Sequence, residues 1–254
     1  MQSVNLDAEK FEQFVRCLSI LRDICNDADI RGGILRQRTN DNTTVFEIDL
    51  RPYIDDMDIP LPTVKGKIDL FKMFNGQEVE ISATTDAYSF TDQHTSLNFL
   101  KPNLDYLDNK YLPEDELESI FGTNPEDLLL STDISETISE RMKIVSQGFN
   151  VNTVQVSLNG DSAVISLSTQ ARDQHAKLAS DISLERELTG ESNLVVTPLT
   201  IDHDNDMEFQ IYFAEDGDSN VAVNKYTTMI ADSDVKIYSR SKIIESAGDE
   251  EDDE

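Results

Sequence analysis

Two amphipathic helical segments lie 127 residues apart, and this internal repeat constrains the fold more than any other feature of the sequence. Phe11 and Val15 in the first segment are matched by Ile138 and Met142 in the second, at the spacing of one helix face. Each segment is followed by a strand pattern, a polar turn and another strand pattern. The repeat predicts two units of like architecture, although a helix before a hairpin is also common in unrelated folds.

Alternation of apolar and polar residues predicts the strands. Residues 30–50 are typical of two strands around a polar turn at Asn40–Thr43, and residues 151–169 of a hairpin that turns at Asn159–Gly160. Residues 65–76 favour a short helix that ends at Asn75–Gly76. Short helices among antiparallel strands predict an α+β fold.

The segment between the two units has the composition of a connection. Residues 101–127 contain three prolines, many acidic residues and no sustained period. We therefore predict a first unit at 1–100, a connecting segment at 101–127, a second unit at 128–246 and an acidic C-terminal tail at 247–254. A long ordered connection is often functional.

The charge balance limits the possible partners. Asp and Glu number 50 against 21 Lys and Arg, a net charge of −29, so the outer surface is expected to repel membranes and nucleic acid. No apolar run approaches the ~18 residues of a membrane span, and the N-terminus lacks the pattern of a signal peptide. Cys17 and Cys25 alone argue against a disulfide framework. These features predict a cytoplasmic protein without a membrane partner.

Cations nevertheless occur on both predicted helices. Arg16 and Lys143 occupy equivalent positions opposite the apolar stripes, and Arg141 lies nearer the border of its stripe. Each one alone is more often a solvated surface residue. Their recurrence in both units favours a shared role.

The sequence contains no recognisable catalytic or metal motif. Asp202 starts a run that resembles a calcium loop, but its sixth and twelfth positions hold Met207 and Phe213 instead of Gly and Glu. The three histidines lack metal-ligand spacing, and no phosphate-binding loop or nucleophile motif occurs. We predict no enzyme activity, no cofactor and no metal site.

In the order of its elements the chain resembles the DNA sliding clamps of the proliferating-cell-nuclear-antigen type, and among them the bacteriophage clamps. The resemblance covers nearly the whole chain. It is carried by "EKFEQFVRCLSIL", "RQRTNDNTTVFEIDL", "KIDLFKMFNGQEVEISATTDAYSF", Lys101–Asp127 as the connecting loop, and "ETISERMKIVSQGFNVNTVQVSLNGDSAVISL". The helix that the family has in the second unit should lie near Thr197–Asp206, a short acidic stretch.

The resemblance implies two tandem clamp modules, each with helices on one face of antiparallel sheets, and a homotrimeric ring around double-stranded DNA. A clamp loader ATPase would place the ring, and the ring would tether a DNA polymerase; the host cytoplasm is the expected location if the protein is viral. Cations on the helices would face DNA phosphates without reading sequence. The implied DNA-facing residues are Lys10, Arg16, Lys65, Lys67, Lys72, Arg141 and Lys143.

Two further sites follow from the resemblance. A partner peptide would dock beneath the connecting loop, against Val45, Leu104, Tyr106, Leu107, Tyr111, Leu112, Ile237 and Tyr238, although the tyrosines could simply pin the loop to the sheet. Neighbouring subunits would pair edge strands. The implied interface residues are His94, Ser96, Leu97, Asn98, Phe99, Leu100, Ala176, Lys177, Leu178, Ile182 and Leu184.

Two other functions fit parts of the pattern. An acidic protein that mimics DNA would use the negative charge to occupy the groove of a nucleic-acid enzyme, and it would need no ring. An all-β structural or virion protein of two sandwich-like halves would use the strand-rich pattern and assemble independently of DNA.

Overall fold

The computed structural model of the chain describes residues 2–40, 42–102, 111–169, 174–216 and 219–244. The chain divides into two compact units, and each takes segments from separate parts of the sequence. The first unit comprises Met1–Ile120, Asp202–Asn205 and Thr227–Ile237, and the second comprises Phe121–Ile201, Asp206–Tyr226 and Tyr238–Glu254.

Short helices and longer strands alternate along the described residues. The α-helices are α1 (Ala8–Ser19), α2 (Arg51–Ile54), α3 (Val64–Phe71), α4 (Glu114–Phe121) and α5 (Glu136–Phe149). Short 3-10 helices occur at Lys72–Phe74, Pro125–Asp127 and Thr197–Thr200. The strands are β1 (Gln2–Leu6), β2 (Ala28–Arg31), β3 (Ile34–Arg38), β4 (Thr44–Asp49), β5 (Ile59–Leu61), β6 (Val79–Ala83), β7 (Ala87–Thr91), β8 (Ser96–Leu100), β9 (Leu128–Ile134), β10 (Thr153–Ser168), β11 (His175–Val195), β12 (Met207–Asp216), β13 (Ser219–Ile230) and β14 (Ser233–Ile244).

The first unit contains two sheets. One has the strand order β1-β6-β7-β8 with antiparallel pairing throughout. In the other, β4 lies between β14 and β3, and β2 and β5 follow. Apolar side chains of α1 and α3 pack with the strands, and the rings of Phe71 and Phe90 have centroids 4.3 Å apart. The predicted helices and the turn between β3 and β4 are present in this unit.

The second unit is built around long strands, in the order β10-β11-β9-β12-β13-β14. The hairpin predicted at Asn159–Gly160 is wrong, because β10 continues through these residues and pairs with β11 from Thr153 to Ser168. Gly160 has φ of +68° and lies where the register shifts. Gly160, which the sequence predicted as a turn residue, therefore lies at an irregularity within a strand.

Helix α5 buries Met142 of the predicted apolar face, whereas Ile138 is half-buried. Its N-cap is Ser135, whose Oγ accepts a hydrogen bond from the Ile138 N–H at 3.4 Å. The buried residues are Ser139, Met142 and Ser146, whereas Ile144 is 68 % exposed. Two small hydroxyl side chains allow close packing on this face.

The second helix expected in this unit is a short 3-10 turn, Thr197–Thr200. Ser139 Oγ donates a hydrogen bond to the Leu199 carbonyl oxygen at 2.7 Å, which ties α5 to this turn. Among the helices of the described ranges, none has the length and apolarity needed to cross a bilayer.

Candidate nucleic-acid and partner interfaces

Helix α1 presents Arg16 beside its buried face, but the charge of Arg16 is offset by the chain itself. Arg16 Nη1 lies 2.7 Å from Asp204 Oδ1, and Nη2 lies 3.3 Å from Asp202 Oδ2. The Arg16 side chain is 36 % exposed. Arg16 is thus available to a phosphate only in competition with two carboxylates.

The tip of the last hairpin holds Asp204 in place. Its N–H donates to the Met229 carbonyl oxygen at 3.1 Å, and its Oδ2 accepts from the Ala231 N–H at 2.5 Å. Burial raises the pKa of the Asp204 carboxyl, but the hydrogen bonds from Ala231 and Arg16 outweigh it and the pKa is lowered. Asp202 and Asp204 therefore offset the charge of Arg16 on α1. The local sequence pattern around them did not indicate this pairing.

The predicted cations of α3 and its 3-10 extension are also engaged. Lys65 Nζ lies 3.1 Å from Asp23 Oδ1, and Lys72 Nζ lies 3.2 Å from Asp69 Oδ1. Lys67 Nζ lies 3.3 Å from the centroid of the Phe99 ring, and burial lowers the pKa of its ammonium. Each of these groups has a partner within the first unit.

Arg141 and Lys143 of α5 differ from the cations of the first unit. Both are exposed, and within the described ranges neither forms an ion pair. Lys10 of α1 is likewise exposed without an ion pair in those ranges. Of the predicted DNA-facing cations in the described ranges, Arg141 and Lys143 on α5 and Lys10 on α1 therefore have no acidic side chain that offsets their charge.

Most of the predicted partner-peptide residues are covered by the chain itself. Val45, Leu112, Ile237 and Tyr238 are between 0 and 8 % exposed, and Tyr111 is half-buried. Leu104, Tyr106 and Leu107 lie outside the described residues. These residues contribute to the folded unit itself, and the docking of a partner peptide against them stays a prediction.

A buried carboxylate joins the strands near Val45. Glu47 Oε2 accepts from Arg36 Nε at 2.5 Å, and its Oε1 accepts from Lys236 Nζ at 2.8 Å. Burial raises the pKa of Glu47, but the hydrogen bonds from Lys236 and Arg36 have the larger combined effect and the pKa is lowered. This network fixes β14 against β4 and β3 in the first unit.

Groups of three or more His, Cys, Asp or Glu side chains with metal-binding geometry do not occur in the part of the chain that the structure describes.

Solved structures of PCNA are similar to this chain over nearly its whole length. The PCNA of A. fulgidus, in a structure with the C-terminal region of FEN-1 bound, matches with a TM-score of 0.60 and 12% identity over 97% of this chain and 100% of that one. The chain has the fold of a PCNA-type sliding clamp. The PCNA2–PCNA3 complex from Sulfolobus tokodaii matches with a TM-score of 0.60 and 10% identity, over 94% of this chain and 99% of that one. By sequence, no family model and no curated protein matches.

In this clamp fold, each unit carries a strand with an open side. Strand β8 is the last strand of its sheet, and Leu100 at its end is 84 % exposed. Residues 175–183 of β11 pair with β10 on one side, whereas β9 joins the other side only at Leu184 among the described pairings. The predicted interface segments thus coincide with open edges.

The residues predicted for the subunit interface have different roles within their own units. Phe99 stacks on Tyr88 with ring centroids 5.1 Å apart, so it contributes to the first unit's core. His94 lies in the turn before β8, where its N–H donates to Asp92 Oδ1 at 2.7 Å. The other predicted members lie on β8 and β11: Ser96, Leu97, Asn98, Leu100, Ala176, Lys177, Leu178, Ile182 and Leu184.

Proposed function

We propose that the chain is a DNA sliding clamp that closes into a homotrimeric ring and tethers a DNA polymerase. The observation that carries the proposal is the agreement of almost the entire chain with the clamp fold. One of the solved neighbours has the C-terminal region of FEN-1 bound, and the other is a complex of PCNA2 with PCNA3. Such chains therefore bind other proteins and associate with one another.

The ring joint that we propose pairs β8 of one copy with residues 175–183 of the next. Both segments have an open side, and an exposed edge requires a partner or protection. The contact is head-to-tail, because the two edges lie on different units of each chain. Repetition of a head-to-tail contact closes a ring when the rotation permits; three chains would place six units around the axis.

DNA contact in this ring falls mainly to α5. Arg141 and Lys143 are exposed and have no ion pair in the described part of the chain, whereas Arg16, Lys65 and Lys72 are paired. Phosphate contacts attract every register of the duplex alike and read no sequence. With a net charge of −29, overall attraction is weak, so retention on DNA is topological.

A sliding clamp requires no catalytic centre of its own. A clamp loader ATPase would place the ring on DNA. We assign the protein to the bacteriophage type, acting in the host cytoplasm, because phage clamps have reduced helices in the second unit. The four-residue turn Thr197–Thr200 fits that reduction.

The mass in solution is the first test. Sedimentation equilibrium at physiological salt should give three times the chain mass of 28.6 kDa. A monomer at high concentration would overturn the ring and favour an acidic DNA mimic.

Retention on circular DNA is the second test. A loader and ATP should place the protein on primed circular DNA and support processive synthesis, and linearising the circle should release it. Arg141→Glu with Lys143→Glu should impair loading or sliding but leave the trimer intact. The matched control is Lys225→Glu with Lys242→Glu, on strands of the same unit. Equal clamp-dependent synthesis by both variants would exclude α5 as the DNA-facing helix.

A further inference from the structure

Within the predicted connecting segment 101–127, residues 111–112 dock along an open stretch of β3. Tyr111 forms an isolated antiparallel bridge with Gln37, and the Leu112 N–H lies 3.4 Å from the Arg36 carbonyl oxygen. The Arg31 guanidinium lies 4.3 Å from the centroid of the Tyr111 ring. Strand β2 pairs only with the beginning of β3. The docked segment therefore uses backbone that no neighbouring strand covers.

Helix α4 continues from this segment and binds two arginines of β3. Arg36 Nη2 lies 3.2 Å from Glu114 Oε2, and Arg38 Nη2 lies 2.6 Å from Glu116 Oε1. On the same helix, Leu117 is only 6 % exposed. The helix thus presents carboxylates in its first turn and a buried apolar residue directly after them.

The ion pairs that attach α4 to β3 are weak. The side chains of Glu114 and Glu116 are 70 % and 48 % exposed, and ion pairs in such positions contribute little because solvent screens them. A helix of eight residues is also marginal without tertiary packing. A ligand with better contacts could therefore replace α4 at moderate cost.

Arg36 and Arg38 place two positive charges on one strand of a strongly acidic chain. Arg36 and Arg38 project from one short strand, and Arg38 is the register partner of Val45, a residue expected to bind partners. An acidic ligand is repelled by most of a surface with a net charge of −29 and attracted to this edge. The positive charge of Arg36 and Arg38 therefore favours an acidic ligand and favours its binding at this edge of β3.

We propose that α4 is an internal ligand, occupying a surface that receives an acidic amphipathic segment of a partner protein. That segment has carboxylates in its first helical turn followed by an apolar anchor, the order found in Glu114–Leu117. Binding displaces α4, so the resting chain is self-inhibited at this surface. The nature of the partner, a clamp-binding protein, rests on the proposed function; the displacement of α4 does not.

Hydrogen–deuterium exchange of the full chain tests whether the two ion pairs hold α4. In Glu114→Lys with Glu116→Lys, the amides of residues 114–121 should exchange at least tenfold faster than in the wild type. The matched control, Asp115→Lys with Glu118→Lys, makes the same charge change on exposed positions of the same helix and should stay within twofold. Equal exchange in all three proteins would overturn the proposal.

A labelled peptide tests the vacated surface. A fluorescein-labelled copy of residues 111–122 should bind the Glu114→Lys/Glu116→Lys protein at least tenfold more tightly than the wild type, in which α4 occupies the site. Adding Arg38→Glu to that protein should abolish binding of this peptide, and a peptide with Lys in place of Glu116 should restore it. Equal binding to both proteins, no binding to either, or no rescue would overturn the proposal.

These measurements separate the two proposals. If the wild type fails to form a trimer or to stay on circular DNA while exchange and peptide binding behave as expected, the clamp function fails and the internal ligand stands. If the trimer and its retention on DNA are confirmed but α4 is insensitive to the charge reversal, only the internal ligand fails.

Discussion

Glu47 is the single residue on which we expect the stability of the first unit to depend most. Its carboxylate is 11 % exposed and accepts hydrogen bonds from Arg36 and Lys236. Because its pKa is lowered in the folded chain, the stabilisation is present above the pKa of the unfolded chain, ~4.5. It is lost as the pH falls through the lower folded value.

Glu47→Gln should lower the free energy of unfolding by about 2–3 kcal/mol at pH 7. The value is below the full cost of breaking a buried pair, because Lys236 is 40 % exposed. Urea denaturation of the wild type and the variant should give the largest difference at pH 7 and a smaller one as the pH is lowered below ~4.5. Glu80→Gln, on an exposed position of β6, serves as the control and should change stability by less than ~0.5 kcal/mol. A pH-independent difference would contradict the charge network.

Gly66→Ala should raise the free energy of unfolding by about 1 kcal/mol, because glycine in a helix interior costs that much relative to alanine. Gly66 lies inside α3, and a methyl group there would meet nothing within 4 Å. Gly33→Ala is the contrasting variant. Its φ is +71°, and a Cβ would collide with the Asp55 carbonyl oxygen, so it should destabilise. Thermal unfolding of both variants measures the contrast.

At the scale of elements, the acidic loop before β12 limits the charge that α1 can offer to DNA. Asp202→Asn with Asp204→Asn should release Arg16, since an amide does not neutralise a guanidinium. We expect tighter binding of a duplex oligonucleotide in fluorescence anisotropy. The slope of log K against log salt should steepen by about 0.9 for each Arg16 that gains a phosphate.

The control for this prediction changes two acids of the last hairpin that, among the described residues, form no ion pair with Arg16. Asp232→Asn with Asp234→Asn removes the same charge from exposed positions next to the turn. If the control increases affinity and salt slope as much as the Asp202/Asp204 variant, the effect comes from net charge and the pairing with Arg16 is irrelevant.

Elements with a single strong period could be predicted from the sequence, and those that depend on distant partners could not. The buried stripe of α1 includes Phe11 and Val15, as the helical spacing indicated. In contrast, Asn159–Gly160 gave a strong local turn signal, but β11 is long enough to pair with β10 on both sides of it. The pairing partner decided the conformation.

Helix α4 was missed for a related reason. Its eight residues include four acids, and its apolar face consists of Leu117, Ile120 and Phe121 alone, too short a pattern to set it apart from a loop. Arg36 and Arg38 hold the helix through ion pairs with Glu114 and Glu116. In each pair the arginine lies 78 positions before the glutamate. The pairing of Arg16 with Asp204 likewise spans 188 positions. Long-range charge pairs leave no trace in local periodicity, so the predicted DNA-facing cations included several that are already bound.

At the scale of the whole molecule, the proposed assembly depends on apolar contacts at the open edges. Leu100→Lys should raise the dissociation constant of the trimer at least tenfold, about 1.4 kcal/mol, because an 84 % exposed leucine would be buried at the joint. Ile144→Lys, on α5 and 68 % exposed, makes the same substitution away from the edges and should leave the trimer unchanged. Sedimentation velocity over a dilution series measures both. Equal weakening by the two variants would place the joint elsewhere.

The last hairpin has a consequence for how the chain acquires its structure during synthesis. Strand β4 has β14 as one of its two neighbours, and residues 227–237 belong to the first unit although they are made long after Met1–Ile120. A ribosome that has released the first 200 residues has therefore produced an N-terminal half with an uncovered β4 and with Glu47 lacking Lys236. The N-terminal half can be completed only after the C-terminal hairpin has left the exit tunnel, and a fragment that stops before it should be a client of chaperones rather than a stable domain.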